Sequence, residues 1–166
     1  YCLHFPAVEI NSTYYALPRI GVMEQMVRRT PPDFCFTVKL QKEITHERTR
    51  DLGQFAAFRR VIEPLEQAGK FRGAVAQFPY AFRFASETRD FLRLVRLGLG
   101  SCRLFVEFRH ASWARDDAMS LLEEIGGAVA RAVLGEDDLV VPAAGVETGA
   151  QLPGRLLDQG FLVVDG

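Results

Sequence analysis

Four short apolar runs each turn polar toward their C-terminal ends, and the residues that do so can carry chemistry. Glu9 and Asn11 close the first run, Lys39 the second, Gln77 the third, and Glu107 with Arg109 the fourth. If each run is a β-strand, its side chains alternate between two faces. Glu9 and Asn11 then share a face with Ala7, Lys39 with Cys35 and Thr37, Gln77 with Val75, and Glu107 and Arg109 with Phe105. The opposite faces carry Val8, Ile10, Phe36, Val38, Leu40, Ala74, Ala76, Phe78, Leu104, Val106 and Phe108, and are apolar throughout. A solvated sheet face would be polar along its whole length. This one begins small or apolar, with Arg103 the exception at a strand entrance, and ends polar. A shared polar site at the C-terminal ends of the strands produces that pattern.

Two carboxylates, one ammonium and one guanidinium nearly cancel, as charges taken out of water must. One reading is a structural ion network. The other is a site for a small polar or anionic molecule, with Lys39 and Arg109 on the anion and Glu9 or Glu107 as acid or base. Arg109 is expected beside Glu107, with its fork able to hold Glu9 or a ligand carboxylate. His46 follows the second run in a polar loop, and Trp113, the only tryptophan, sits in a strand-to-helix loop. Both are candidate substrate contacts, each with packing as the alternative. No cofactor is expected. A divalent metal is a secondary reading, since Glu9, Glu107, His46 and His110 have ligand chemistry. Against it, no His-x-His or His-Glu-x-x-His spacing occurs, and Lys39 and Arg109 already balance the carboxylates. Ser12 and Thr13 show no partner pattern for a nucleophile.

Something must hold these residues side by side. The runs Ala7–Asn11, Cys35–Leu40, Gly73–Phe78 and Arg103–Arg109 read as strands, with Ala128–Leu134 as a fifth. Between them Ile20–Arg29, Asp51–Ile62, Ser86–Leu97 and Asp116–Ile125 carry apolar residues at helical spacing. Asp51 is a plausible N-cap, and Pro64 is expected to end or kink its helix. Strand and helix in alternation predict a parallel α/β domain. A doubly wound sheet and a TIM-type β/α barrel compete, but the chain has no Gly-x-Gly-x-x-Gly and no P-loop. At 166 residues it is shorter than the roughly 200 a closed barrel usually needs. The polar residues at one end of each strand are what a barrel interior with a site at its C-terminal mouth requires. Residues 135–166 form a divergent segment, with β-like runs at Leu139–Val141 and Phe161–Val164 that could supply replacement strands.

Hydrophobic residues make up 48% and charged residues 25%, which excludes a disordered or fibrous chain. The net charge of −1 advertises neither nucleic acid nor an acidic membrane. It divides as −5 on residues 134–166 and +4 on residues 1–133. Cys2, Cys35 and Cys102 are odd in number and far apart, which fits free thiols in a reducing cytoplasm. No apolar run reaches the roughly 20 residues of a membrane span, and none marks a signal peptide.

The blocks are also recognisable. His4-Phe5-Pro6-Ala7-Val8-Glu9-Ile10-Asn11-Ser12-Thr13-Tyr14-Tyr15 resembles the Glu-Ile-Asn-Ser-Thr-Phe-Tyr block of the YecE-like family, known as domain of unknown function 72. Phe36-Thr37-Val38-Lys39 with Ile44-Thr45-His46 is similar to that family's Phe-x-Val-Lys and Ile-Thr-His blocks, and Gln77-Phe78-Pro79 to its Gln-Leu-Pro block. Val106-Glu107-Phe108-Arg109-His110 with Ser112-Trp113 is similar to its Glu-Phe-Arg-His-x-Ser-Trp block. The resemblance implies a TIM-type β/α barrel, partial in this chain and covering residues 1–134, and no particular reaction. The family's opening Gly- and Trp-containing strand would precede Tyr1, and past Gly126 no family block is legible. Open strand edges would then favour self-association.

Three functions follow as expectations. The first is a small-molecule enzyme, a hydrolase or lyase using glutamate acid–base chemistry. The second is a nucleic-acid-processing barrel with Arg48, Arg50 and Arg83 on its rim. The third is a non-catalytic, degenerate family member.

Overall fold

The computed structural model describes residues 5–132 and 163–164, with side chains described through residue 126. Six strands form one all-parallel sheet: β1 (Ala7–Ile10), β2 (Cys35–Lys39), β3 (Phe71–Gln77), β4 (Leu104–Phe108), β5 (Gly127–Ala132) and β6 (Val163–Val164). Between them run α1 (Ile20–Arg29), α2 (Lys42–Thr45), α3 (Leu52–Gln67), α4 (Ser86–Leu99) and α5 (Asp116–Glu124). Residues 133–162, which include Leu139–Val141 and most of the divergent segment, lie outside the described residues.

The strand order, β5-β4-β3-β2-β1-β6, separates the two competing architectures. From β1 to β5 each new strand joins on the same side of the last. Parallel crossovers are right-handed, so a constant direction of winding places every helix on one face. The packing agrees, with α1 against α3 and α3 against α4. A doubly wound sheet would reverse direction and place helices on both faces. The winding here is that of a β/α barrel, and no ladder joins β5 to β6 among the described residues.

The helix-side core is the apolar set of alternate strand residues. Val38, Ala74, Ala76, Phe78, Leu104 and Val106 are fully buried against Phe55, Phe58, Ile62, Leu65, Leu92, Val95 and Leu99 of the helices. Each large side chain contributes roughly 1.5–3 kcal/mol by leaving water. Asp51 caps α3 as expected, its carboxylate accepting from the Gly53 amide at 2.8 Å.

Two residues on this side of the sheet are placed by tertiary packing rather than by local pattern. Pro64 does not end its helix; α3 continues to Gln67. Leu65 extends the buried stripe of Val61 and Ile62 by one more turn, and its full burial outweighs the single hydrogen bond that the proline omits. Trp113 takes the packing alternative. It is 1% exposed, with its ring stacked 4.0 Å from Phe108 and 5.4 Å from Phe82, and its indole Nε1 donates to the Phe82 carbonyl. A strand-to-helix loop has delivered it into the core beneath the helices. The short α2 and the 3-10 turns Ser12–Tyr14 and Ala111–Trp113 have no periodicity to betray them.

Candidate functional site

Register assembles the polar face in layers. Glu9 pairs with Thr37, and Thr37 with Gly73. Lys39 pairs with Val75, and Val75 with Phe105; Gln77 pairs with Glu107. Glycine at position 73 is required here, because a Cβ would strike the Phe105 ring, which lies across it. The ladders shift register between Phe36 and Thr37 and between Val106 and Glu107. Such irregularities re-aim side chains and are common beside sites.

The fourth strand's carboxylate is anchored. Gln77 Nε2 donates to Glu107 Oε1 at 2.6 Å, and Arg109 Nε approaches the same oxygen at 3.5 Å. The Glu107 side chain is 17% exposed and that of Arg109 is 49% exposed. Arg109 therefore makes one contact through Nε, to Glu107, and not a forked contact with Glu9.

Glu9 is different. It is half-buried and has no hydrogen bond or ion pair among the described residues. Burial pushes its carboxyl above the usual range; Lys39 opposes this and Glu107 adds to it. Glu9 on β1 thus lies within electrostatic reach of Lys39 on β2 and Glu107 on β4. Lys39 has no ion-pair partner among the described residues either, and its Nζ lies 5.3 Å from the Tyr14 ring centre.

His46 joins the same group. It caps α2, with Nδ1 2.9 Å from the Thr45 hydroxyl and its ring edge-on to Tyr14 at 5.2 Å. Partial desolvation, Arg109 and Lys39, in that order, hold its imidazole below the ordinary value. The structure thus brings Glu9, Lys39, His46, Gln77, Glu107 and Arg109 together at one end of the sheet, and sets Trp113 apart. Asn11 lies at that end too, 6% exposed, with Oδ1 lacking a hydrogen-bond partner among the described residues.

Tyr14, which its place after the first strand marks as a wall of the site, lies at this end together with two residues unmarked in the sequence. Tyr14 bridges Lys39 and His46. Thr37 and Gln41, each 7% exposed, bury Oγ1 and Oε1 without a hydrogen-bond partner among the described residues. Thr37 shares strand parity with Lys39 and could have been found by the alternation that located Lys39. Gln41 lies beyond the strand, where alternation gives no guide. His110 turns instead to Ser112, whose Oγ is 2.8 Å from Nδ1, and to the Tyr80 ring. Of the proposed basic rim, Arg48 is paired with Glu87 at 3.6 Å.

A depression on the outer side of α3, lined by Ala56, Arg59, Arg60, Glu63 and Glu66, involves no strand residue and balances its own charges. Among the described residues no group of three or more His, Cys, Asp or Glu is placed to hold a metal, and no helix is long and apolar enough to cross a membrane.

Known proteins match this frame. The family model described as "Protein of unknown function DUF72" matches residues 1–150 and so extends past Gly126, where no block was legible. UPF0759 protein YunF of Bacillus subtilis is 29% identical over 119 residues, covering 68% of this chain and 42% of YunF. A crystal structure of a DUF72 family protein from Thermotoga maritima shares 37% identity with a TM-score of 0.67, covering 76% of this chain and 50% of that one. Another from Enterococcus faecalis shares 21% identity with a TM-score of 0.71, covering 78% of this chain and 55% of that one. The chain spans about half the length of the relatives it matches.

Proposed function

The chain belongs to the DUF72 family, and on that premise we propose that the polar end of its sheet is the site of a small-molecule enzyme acting on a polar or anionic substrate by glutamate acid–base chemistry. The observation that carries this reading is the unequal treatment of two carboxylates on one face. Glu107 is anchored by Gln77 and Arg109, while Glu9 is desolvated and unheld. Pairs of titratable groups placed in contrasting environments are how one site supplies distinct proton-transfer roles near neutral pH. Glu9, protonated further into the working range than an ordinary carboxyl, delivers and recovers the proton. Glu107, fixed in orientation, positions the reacting group, with Asn11 and Gln77 as polar contacts. Lys39 and Arg109 attract the anionic part of the substrate.

The test is a turnover screen. The protein is incubated with a mixture of polar metabolites, and depletion is followed by mass spectrometry. A depleted compound that persists with Glu9→Gln, though still bound, supports the reading. Depletion undiminished in both Glu9→Gln and Glu107→Gln overturns it.

A further inference from the structure

We propose that Lys39, His46 and Arg109 form the seat for a phosphate monoester group of the substrate. The proposal rests on reading this face as a substrate site, and adds the chemical class.

Three groups able to carry positive charge converge here from three parts of the fold. Lys39 comes from β2, Arg109 from just past β4, and His46 from the cap of α2. Their positive charge is only partly balanced by protein. Arg109 has a single carboxylate contact, at 3.5 Å, to an oxygen that Gln77 already occupies. Lys39 rests on the Tyr14 face with no ion pair or side-chain hydrogen bond among the described residues, and Glu9 is the carboxylate whose charge it feels.

The Thr45 hydroxyl, 3.2 Å from the Gln41 carbonyl and 2.9 Å from His46 Nδ1, holds the Nδ1 edge of the ring and leaves the Nε2 edge facing away from it. Nε2 has no hydrogen bond among the described residues. The groups that face the ring are Arg109, Lys39, Tyr14 and Thr45, and the two charged ones are both cations. They keep the ring neutral while the seat is unfilled. A dianion reverses that balance: it offsets both cations and favours the imidazolium, whose Nε2 donates a proton to the ligand. A carboxylate or a phosphodiester, with one negative charge, is met by Lys39 alone. Charge matching thus favours a phosphate monoester over either, and binding should draw a proton onto His46.

The experiment follows the His46 ring resonance by NMR as pH is varied, assigned by its loss in His46→Gln. The probes are glycerol phosphate, acetate and a short single-stranded oligonucleotide, each against chloride at equal ionic strength. Glycerol phosphate should raise the His46 titration midpoint by half a unit or more, roughly a threefold change in proton affinity. Acetate and the oligonucleotide should leave it near the chloride value. Lys39→Met should weaken glycerol phosphate binding about tenfold or more, with Lys39→Arg restoring part of it. A midpoint unmoved by glycerol phosphate overturns the proposal, as does a shift that survives Lys39→Met, or a shift with the oligonucleotide alone. The two readings fail separately. Phosphate binding retained by Glu9→Gln without any turnover sinks the glutamate chemistry, and turnover of a compound without phosphate sinks the seat.

Discussion

Two lysines stand at opposite ends of the same sheet, and their surroundings are opposite as well. Lys70 precedes β3 at the N-terminal end of the strands and is 6% exposed. Its ammonium donates to the Val27 carbonyl at 2.9 Å, the Thr30 carbonyl at 2.8 Å and the Thr30 hydroxyl at 2.9 Å, using all three protons. It closes the end of α1, where carbonyls are otherwise unmatched and a cation is favoured. Lys39 closes β2 at the other end and donates to nothing among the described residues. At the same end Asn11, Thr37 and Gln41 also hold buried oxygens without hydrogen-bond partners among the described residues. Buried polar groups are normally satisfied, and an exception costs stability that a packing role would not require. One end of the sheet has spent its polar groups on the fold. The other has kept them available.

The largest expected effect tests this contrast directly. Lys70→Met removes three charge-assisted hydrogen bonds from the part-buried end of α1, so unfolding in urea should show a loss of about 3 kcal/mol. Lys39→Met removes no hydrogen bond and should fall within about 0.5 kcal/mol of the parent. Equal losses at the two positions would break the comparison.

The next effect separates the faces. Gly98 lies where α4 meets α3, and a Cβ there would enter the Phe55 ring. Gly98→Ala should therefore cost about 1–3 kcal/mol by overpacking. It should leave anion binding unchanged, because no residue of the polar end touches that contact. Thermal melts and glycerol phosphate titration of the same variant check both halves.

Much of this was legible from alternation and spacing. Parity placed Glu9, Lys39, Gln77 and Glu107 on one face because a parallel ladder keeps the alternation in step across strands. The helical stripe of α1 ran from Ile20 to Arg29, as its spacing implied. What escaped was set by tertiary contact. Trp113 belongs to the core because Phe82 and Phe108 offer flat faces to it and a carbonyl awaits its indole, and no local pattern records that. Pro64 is tolerated for what Leu65 buries beyond it. Gln41 reaches the polar end from beyond β2, where periodicity is silent.

Arg109 sharpens the comparison at lower energy. A buried fork clamping two carboxylates would cost about 3–5 kcal/mol to break. With its side chain 49% exposed and one contact to Glu107, Arg109→Leu should instead cost less than about 1 kcal/mol. It should still weaken glycerol phosphate binding, because the lost charge faces His46. Loss of binding without loss of stability is what distinguishes this end from that of Lys70.

The smallest effect concerns Glu9, and its sign is informative. Its carboxyl is raised in the folded chain, chiefly by desolvation. In the window between the unfolded value and the raised folded one, the native state holds more protons than the unfolded state. Stability therefore falls as pH rises through that window and stays lower above it. A salt-bridged carboxylate would do the reverse. Glu9→Gln removes the ionisable group, so the variant should be slightly more stable than the parent at neutral pH. The difference should vanish in acid, below the unfolded carboxyl range near 4.5. Urea midpoints taken from pH 4 to pH 8 would show the two curves converging on the acid side. A parent that instead gains stability over Glu9→Gln as pH rises would mean that Glu9 is a held structural carboxylate. The two ends of the sheet would then differ less than their lysines suggest.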